Sequence, residues 1–86
     1  MTNKVTLGTL LGKIKSETFT RLPSGKVLVC ELVLENGFSV RGEASVVDPA
    51  NYKEEIGREI SRENAIDKMW QLEGYLLQEQ LFKGNK

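Results

Sequence analysis

Few side chains in this sequence could do chemistry, and their types narrow what that chemistry can be. There is no histidine, which removes the commonest general base and the commonest metal ligand together. The single cysteine, Cys30, allows no internal disulfide and lies in the apolar run Leu28–Leu34. There a thiol acts as a small hydrophobe, and no histidine is present to activate it as a nucleophile. No P-loop, dinucleotide glycine fingerprint or metal-ligand cluster occurs. These residues predict no catalytic site, no cofactor and no metal, so the chain is not expected to be an enzyme. What remains is suited to binding. Trp70 and Tyr75 are large aromatics of the kind that anchor interfaces, Glu79 follows Tyr75 by one helical turn, and Glu73 is a carboxylate in an apolar stretch.

All four candidate interface residues (Trp70, Glu73, Tyr75, Glu79) lie in Ser61–Phe82, the longest run that reads as one element. Its apolar residues recur at three- and four-residue spacings, and at 100° per residue they fill an arc of about 180°. Trp70 falls inside that arc and is expected in the core. Tyr75 lies opposite and is expected at the surface, which makes it the better interface candidate. Glu73 falls about 20° from Ile66, near the middle of the arc. Several readings of Glu73 stay open. Buried alone it would keep its proton; buried with Arg, Lys or the indole N–H it would form an ion pair or hydrogen bond. A helix break near Gln71 would place it in a first turn, where the helix dipole favours a carboxylate. It could also snorkel at the edge of the packed face, or serve an interface.

The elements that must position these residues follow from patterning. Thr6 can cap a short helix with the stripe Leu7, Leu10, Leu11 and Ile14. Glu17–Leu22 reads as an edge strand ending at the turn Pro23-Ser24-Gly25. Lys26–Val47 reads as a hairpin about Glu35-Asn36-Gly37. A two-residue loop would mix apolar and charged residues on both faces. A three-residue loop with Gly37 left-handed pairs Leu34 with Phe38, Leu32 with Val40, Cys30 with Gly42 and Leu28 with Ala44, which sorts one face as wholly apolar. The same register sets Glu31 opposite Arg41. Asp48 and Pro49 then start a helix with the stripe Tyr52, Ile56, Ile60. That stripe lies about 150° from the middle of the later one, so a break is expected between them, near Gly57 and the cap candidate Ser61.

At 86 residues, the chain is expected to be one small domain, with residues 1–5 and 83–86 frayed. Twelve basic and twelve acidic residues cancel, which removes the usual footprint of a nucleic-acid or membrane-surface binder. No apolar run approaches a membrane span and the N-terminus lacks a signal-peptide core, so a cytoplasmic protein is expected.

Three segments, ENGFSVRGEASVVDPANY, EEIGREISRENAIDKMW and LEGYLLQEQL, carry a resemblance. They resemble an uncharacterised family of small tailed-bacteriophage and prophage proteins, built on short gene products of Shigella- and coli-type phages. The family pattern NGF, G-E-S/A, VDPANF, EIG, a helix with spaced alanines and W-x-LEGY maps onto Asn36, Gly37, Phe38, Gly42, Glu43, Asp48, Pro49, Ala50, Asn51, Tyr52, Glu55, Ile56, Gly57, Ala65, Trp70, Leu72, Glu73, Gly74 and Tyr75. Tyr52 replaces the usual phenylalanine, and Ser61 stands where an alanine is common. Members often carry proline between the tryptophan and LEGY, which implies a helix break near Gln71. The resemblance implies a phage or prophage gene expressed in a host bacterial cytoplasm, and it implies no catalytic residue.

The expected fold is α+β: a short N-terminal helix, a three-stranded antiparallel meander, and two C-terminal helices packed on one sheet face. The expected function is that of a non-enzymatic accessory protein binding a host or host-defence component. The alternative is a self-assembling homo-oligomeric module, with a small-molecule pocket at its seam. Nucleic-acid binding is disfavoured by charge, and no membrane partner is expected.

Overall fold

The computed structural model describes residues 5–84. In chain order they form α1 (Leu7–Leu11), β1 (Ile14–Arg21), β2 (Val27–Leu34), β3 (Ser39–Ser45), a single 3-10 turn at Pro49–Asn51, and α2 (Glu54–Gly84). The fold is α+β, with a three-stranded antiparallel sheet in the order β1-β2-β3 and one long C-terminal helix. Of the ends expected to fray, residues 1–4 and 85–86 lie outside the described residues. Val5 instead packs against the core, and Lys83 and Gly84 are still helical.

Thr6 caps α1 as its sequence predicts, its side chain accepting from the Thr9 amide at 3.2 Å. The helix is only five residues long, and Ile14 belongs to β1. With Gly8 and Gly12 weakening helical propensity, the chain turns at Gly12 and begins β1 three residues before Glu17. The edge position expected of β1 is observed.

The β2–β3 register is the one that sorts the faces: Leu28 opposite Ala44, Cys30 opposite Gly42, Leu32 opposite Val40, and Glu31 opposite Arg41. The loop closes through Leu34 N–H to Phe38 O at 2.7 Å and Gly37 N–H to Leu34 O at 2.9 Å. Gly37 takes φ +90°, a conformation that side-chain-bearing residues rarely adopt. Asn36 Oδ1 accepts from the Phe38 amide at 3.0 Å and completes the turn. Leu28, Cys30, Leu32, Leu34 and Val40 are buried on the face so formed.

The two C-terminal helices expected from the sequence are one. Asp48 caps as predicted, accepting from the Ala50 amide at 3.0 Å, but it caps the 3-10 turn at Pro49–Asn51 rather than an α-helix. The α-helix starts at Glu54 and runs 31 residues without a break at Gly57, Ser61 or Gln71. The reason lies in the small residues. Gly57, Ser61, Ala65 and Met69 recur every four residues, are all buried, and form the ridge that meets the sheet. Ser61 is not a cap; its hydroxyl donates to the Arg58 carbonyl at 3.3 Å within the helix. Ile56 and Ile60, the stripe that argued for a break, are left exposed instead.

The closest approach of helix and sheet is at Gly42. A Cβ there would collide with the backbone of Ser61, Asn64 and Ala65. Cys30 and Ala65, both with no exposed surface, lie in the same core cluster, with Leu10, Leu32 and Met69. Burial pushes the Cys30 thiol above its ordinary pKa, and the nearby Glu17 charge adds to this. Cys30 is therefore an inert core residue, as its sequence context predicts.

Candidate interaction surface

Beyond Met69 the helix carries no fully buried residue. At 1.5 Å per residue α2 is about 46 Å long, against about 26 Å for an eight-residue strand, and the molecule measures 56 × 21 × 19 Å. The last turns of α2 therefore overhang the sheet, whose hairpin tip still reaches Leu72 and Leu76, and all four candidate interface residues lie in the second half of the helix.

The structure divides those four residues among three directions. Glu73 turns inward: its side chain is 14% exposed and accepts from Lys13 Nζ at 2.5 Å. Of the readings left open by the sequence, this is the paired carboxylate in a continuous helix. The partner comes from the loop between α1 and β1, so the ion pair ties the N-terminal elements to the overhang. Tyr75 points outward and is 70% exposed, as expected. Glu79 lies one turn beyond it and pairs with Lys83 at 3.8 Å.

Trp70 departs from expectation. It is not in the core but 36% exposed, because its side of α2 turns toward the short α1 and away from the sheet. Trp70, Leu7, Leu11 and Ile66 line a hollow of about 380 Å³ between α1 and α2, rimmed by Arg62, Glu63 and Asp67. Sequence periodicity missed this groove because the arc treats every apolar residue as facing one layer. A five-residue α1 covers only part of it.

The motif residues Asn36, Gly37, Phe38, Gly42, Asp48, Pro49, Gly57 and Gly74 do not converge on a site. Asn36 and Gly37 build the hairpin loop, Gly42 and Gly57 set the helix–sheet spacing, and Asp48 and Pro49 make the 3-10 turn. Gly74 sits on an open side of α2, with nothing within 4 Å of where a Cβ would be. Phe38 is exposed and joins Leu34, Leu72 and Leu76 around a shallow hollow at the hairpin tip.

A second group, not singled out from the sequence, lines the junction of β1 with the first half of α2. Arg62 Nε donates to Glu17 Oε1 at 2.6 Å, Arg58 lies 4.8 Å over the Phe19 ring centroid, and Arg21 lies 3.8 Å over that of Tyr52. Alternate residues of β1 thus meet Arg62 and Arg58, one turn apart on α2, and Tyr52 just before it, a cross-element ladder that period-two alternation alone cannot reveal. Tyr52 also donates to Glu54 at 2.6 Å, and Glu54 accepts from Arg58 Nε at 2.6 Å. The Tyr52 hydrogen bond, with that of Arg58, holds the Glu54 carboxyl below the usual carboxylate range. The same bond raises the Tyr52 phenol. Among the described residues, no group of three His, Cys, Asp or Glu side chains could hold a metal ion. No described helix is long and apolar enough to cross a membrane.

A model of the phage protein (N4 Gp49/phage Sf6 gene 66) family matches residues 5–81, which span every strand and nearly all of α2. The chain belongs to that phage protein family. No curated protein and no solved structure matches it. Across this member of the N4 Gp49/Sf6 gene 66 family, the matched region includes both the Trp70 groove and the Tyr75 side of the overhang.

Proposed function

We propose that this phage-family protein is a small non-enzymatic accessory protein that binds a host or host-defence protein in the bacterial cytoplasm. The observation that carries the reading is the groove at Trp70. An exposed tryptophan over an apolar floor of Leu7, Leu11 and Ile66, rimmed by Arg62, Glu63 and Asp67, has the anatomy of a binding hot spot: an aromatic anchor inside a polar rim. The absence of histidine and the balanced charge support protein binding over catalysis or nucleic-acid capture. Affinity capture from host cytoplasm tests this, with partners identified by mass spectrometry. A partner held by the wild type and by Tyr75→Ala/Glu79→Ala, but lost with Trp70→Ala, supports the reading. No protein retained specifically by the wild type would defeat it.

A further inference from the structure

β1 and β3 are both edges of the sheet, but only one of them is closed. On β3 the Val46 amide donates to Lys26 O at 2.9 Å, so Ser45, Glu43 and Arg41, which alternate with it, turn their backbone groups outward. There Asn64 Nδ2 donates to Glu43 O at 2.7 Å, and α2 caps the edge. On β1 the Leu22 amide donates to Val27 O at 2.8 Å, so Thr20 and Thr18 face β2 while Arg21, Phe19 and Glu17 face outward. Among the described residues, no backbone partner meets those three outward positions. Their side chains lie on the helix side of the sheet, where Glu17 meets Arg62, Phe19 lies beneath Arg58 and Arg21 stacks on Tyr52. Thr18 and Thr20 are exposed.

We propose that the open edge of β1 pairs with the same edge of a second copy of the chain, antiparallel, with Phe19 on the two-fold axis. The two Phe19 residues then exchange both backbone hydrogen bonds, and so do Glu17 and the second copy's Arg21 on either side. The same register sets Glu17 against the second copy's Arg21 twice, Phe19 against Phe19, and Thr18 against Thr20. Opposite-charge, aromatic and threonine pairs of this kind stabilise a sheet. Other registers lose them. An axis at Glu17 or Arg21 sets like charges opposite each other, and an axis at Thr18 leaves Glu17 opposite Phe19. An axis at Thr20 sets Glu17 opposite Pro23, which has no N–H to donate. The strand complements its own charges only about Phe19, and this selects a second copy as the occupant. Arg58 and Arg62 keep their partners Glu54 and Glu17 within each chain. The helices do not obstruct the pairing, because α2 lies over β3 and β2. In the joined sheet, β2 and the second copy's β2 stand about 14 Å apart, wider than the roughly 8–10 Å between packed helices. α1 precedes Ile14, at the end where this register brings in the second copy's Pro23-Ser24-Gly25 turn rather than its helices. Trp70 takes no part, so the pairing stands or falls independently of the proposed function.

Sedimentation equilibrium and amide hydrogen exchange of the full chain, each across a concentration series, test the pairing. The wild type is expected to be in monomer–dimer exchange. The amides of Glu17, Phe19 and Arg21 should become protected as concentration rises, whereas those of Thr18 and Thr20 are protected throughout. Glu17→Lys and Arg21→Glu, with folding verified by circular dichroism, should each weaken the dimer about tenfold, since two attractive pairs become two repulsive ones. An equimolar mixture of the two variants should recover wild-type association, because the mixed dimer regains both opposite-charge pairs. A wild type that stays monomeric at the highest concentration overturns the proposal. So does a dimer in which the three outward amides exchange freely, or a mixture that associates no better than either variant alone.

Discussion

A side chain at Gly42 would meet the α2 backbone at Ser61 and at the Asn64–Ala65 peptide rather than a flexible neighbour, so relief requires the helix to move off the sheet. Gly42→Ala is accordingly expected to destabilise the fold by about 3 kcal/mol, the upper range for overpacking, read as a lowered urea midpoint with an unchanged m-value. The hairpin register places Gly42 opposite Cys30 on the apolar face, and that much is legible in the sequence. The helix backbone filling the space above it is not, because the contact joins residues about twenty positions apart. Glu73 makes the same point. Its oddity within an apolar stripe is visible in the sequence, but its partner Lys13 lies 60 positions away and no local pattern marks it.

Helix α2 is where periodicity and packing part. Counting only large apolar residues gives two stripes out of phase and predicts two helices. The ridge of Gly57, Ser61 and Ala65, continued by Met69, shows that the closest contact with the sheet is made through small residues. A continuous helix through Gly74 carries a measurable consequence. With nothing near the missing Cβ, Gly74→Ala should stabilise the helix by about 1 kcal/mol and raise the thermal midpoint. A helix already broken near Gln71 would show little change. The Tyr52–Glu54–Arg58 group at the start of α2 gives a pH signature. The folded state holds Glu54 below its ordinary value, so folding favours the ionised carboxylate. That contribution is complete above the ordinary carboxylate range and is lost as pH falls through the lower folded value. Tyr52→Phe removes the largest cause, so the variant should be less stable than the wild type at neutral pH and should lose less stability on acidification. Identical pH profiles for the two proteins would refute the assignment.

At the scale of the molecule, a short compact body carries a long helix whose last turns overhang it, with the Trp70 groove between that helix and α1. Trp70 is the only tryptophan, so its fluorescence reports on one side alone. Acrylamide quenching should fall when a partner fills the groove. Quenching unchanged on partner capture would place the contact elsewhere on the chain. The sequence by itself determined the sheet face, the hairpin register, the Thr6 and Asp48 caps, the exposure of Tyr75 and the inert setting of Cys30. Each of these is fixed by nearest-neighbour geometry: a two-residue alternation, a left-handed glycine, a side chain reaching a nearby amide. Only the tertiary structure decided that α2 is one helix, that Trp70 leaves the core and that Glu73 meets Lys13. Those outcomes depend on which side of the helix the sheet covers and on which distant element faces the other sides. A count of apolar residues along one helix carries neither quantity.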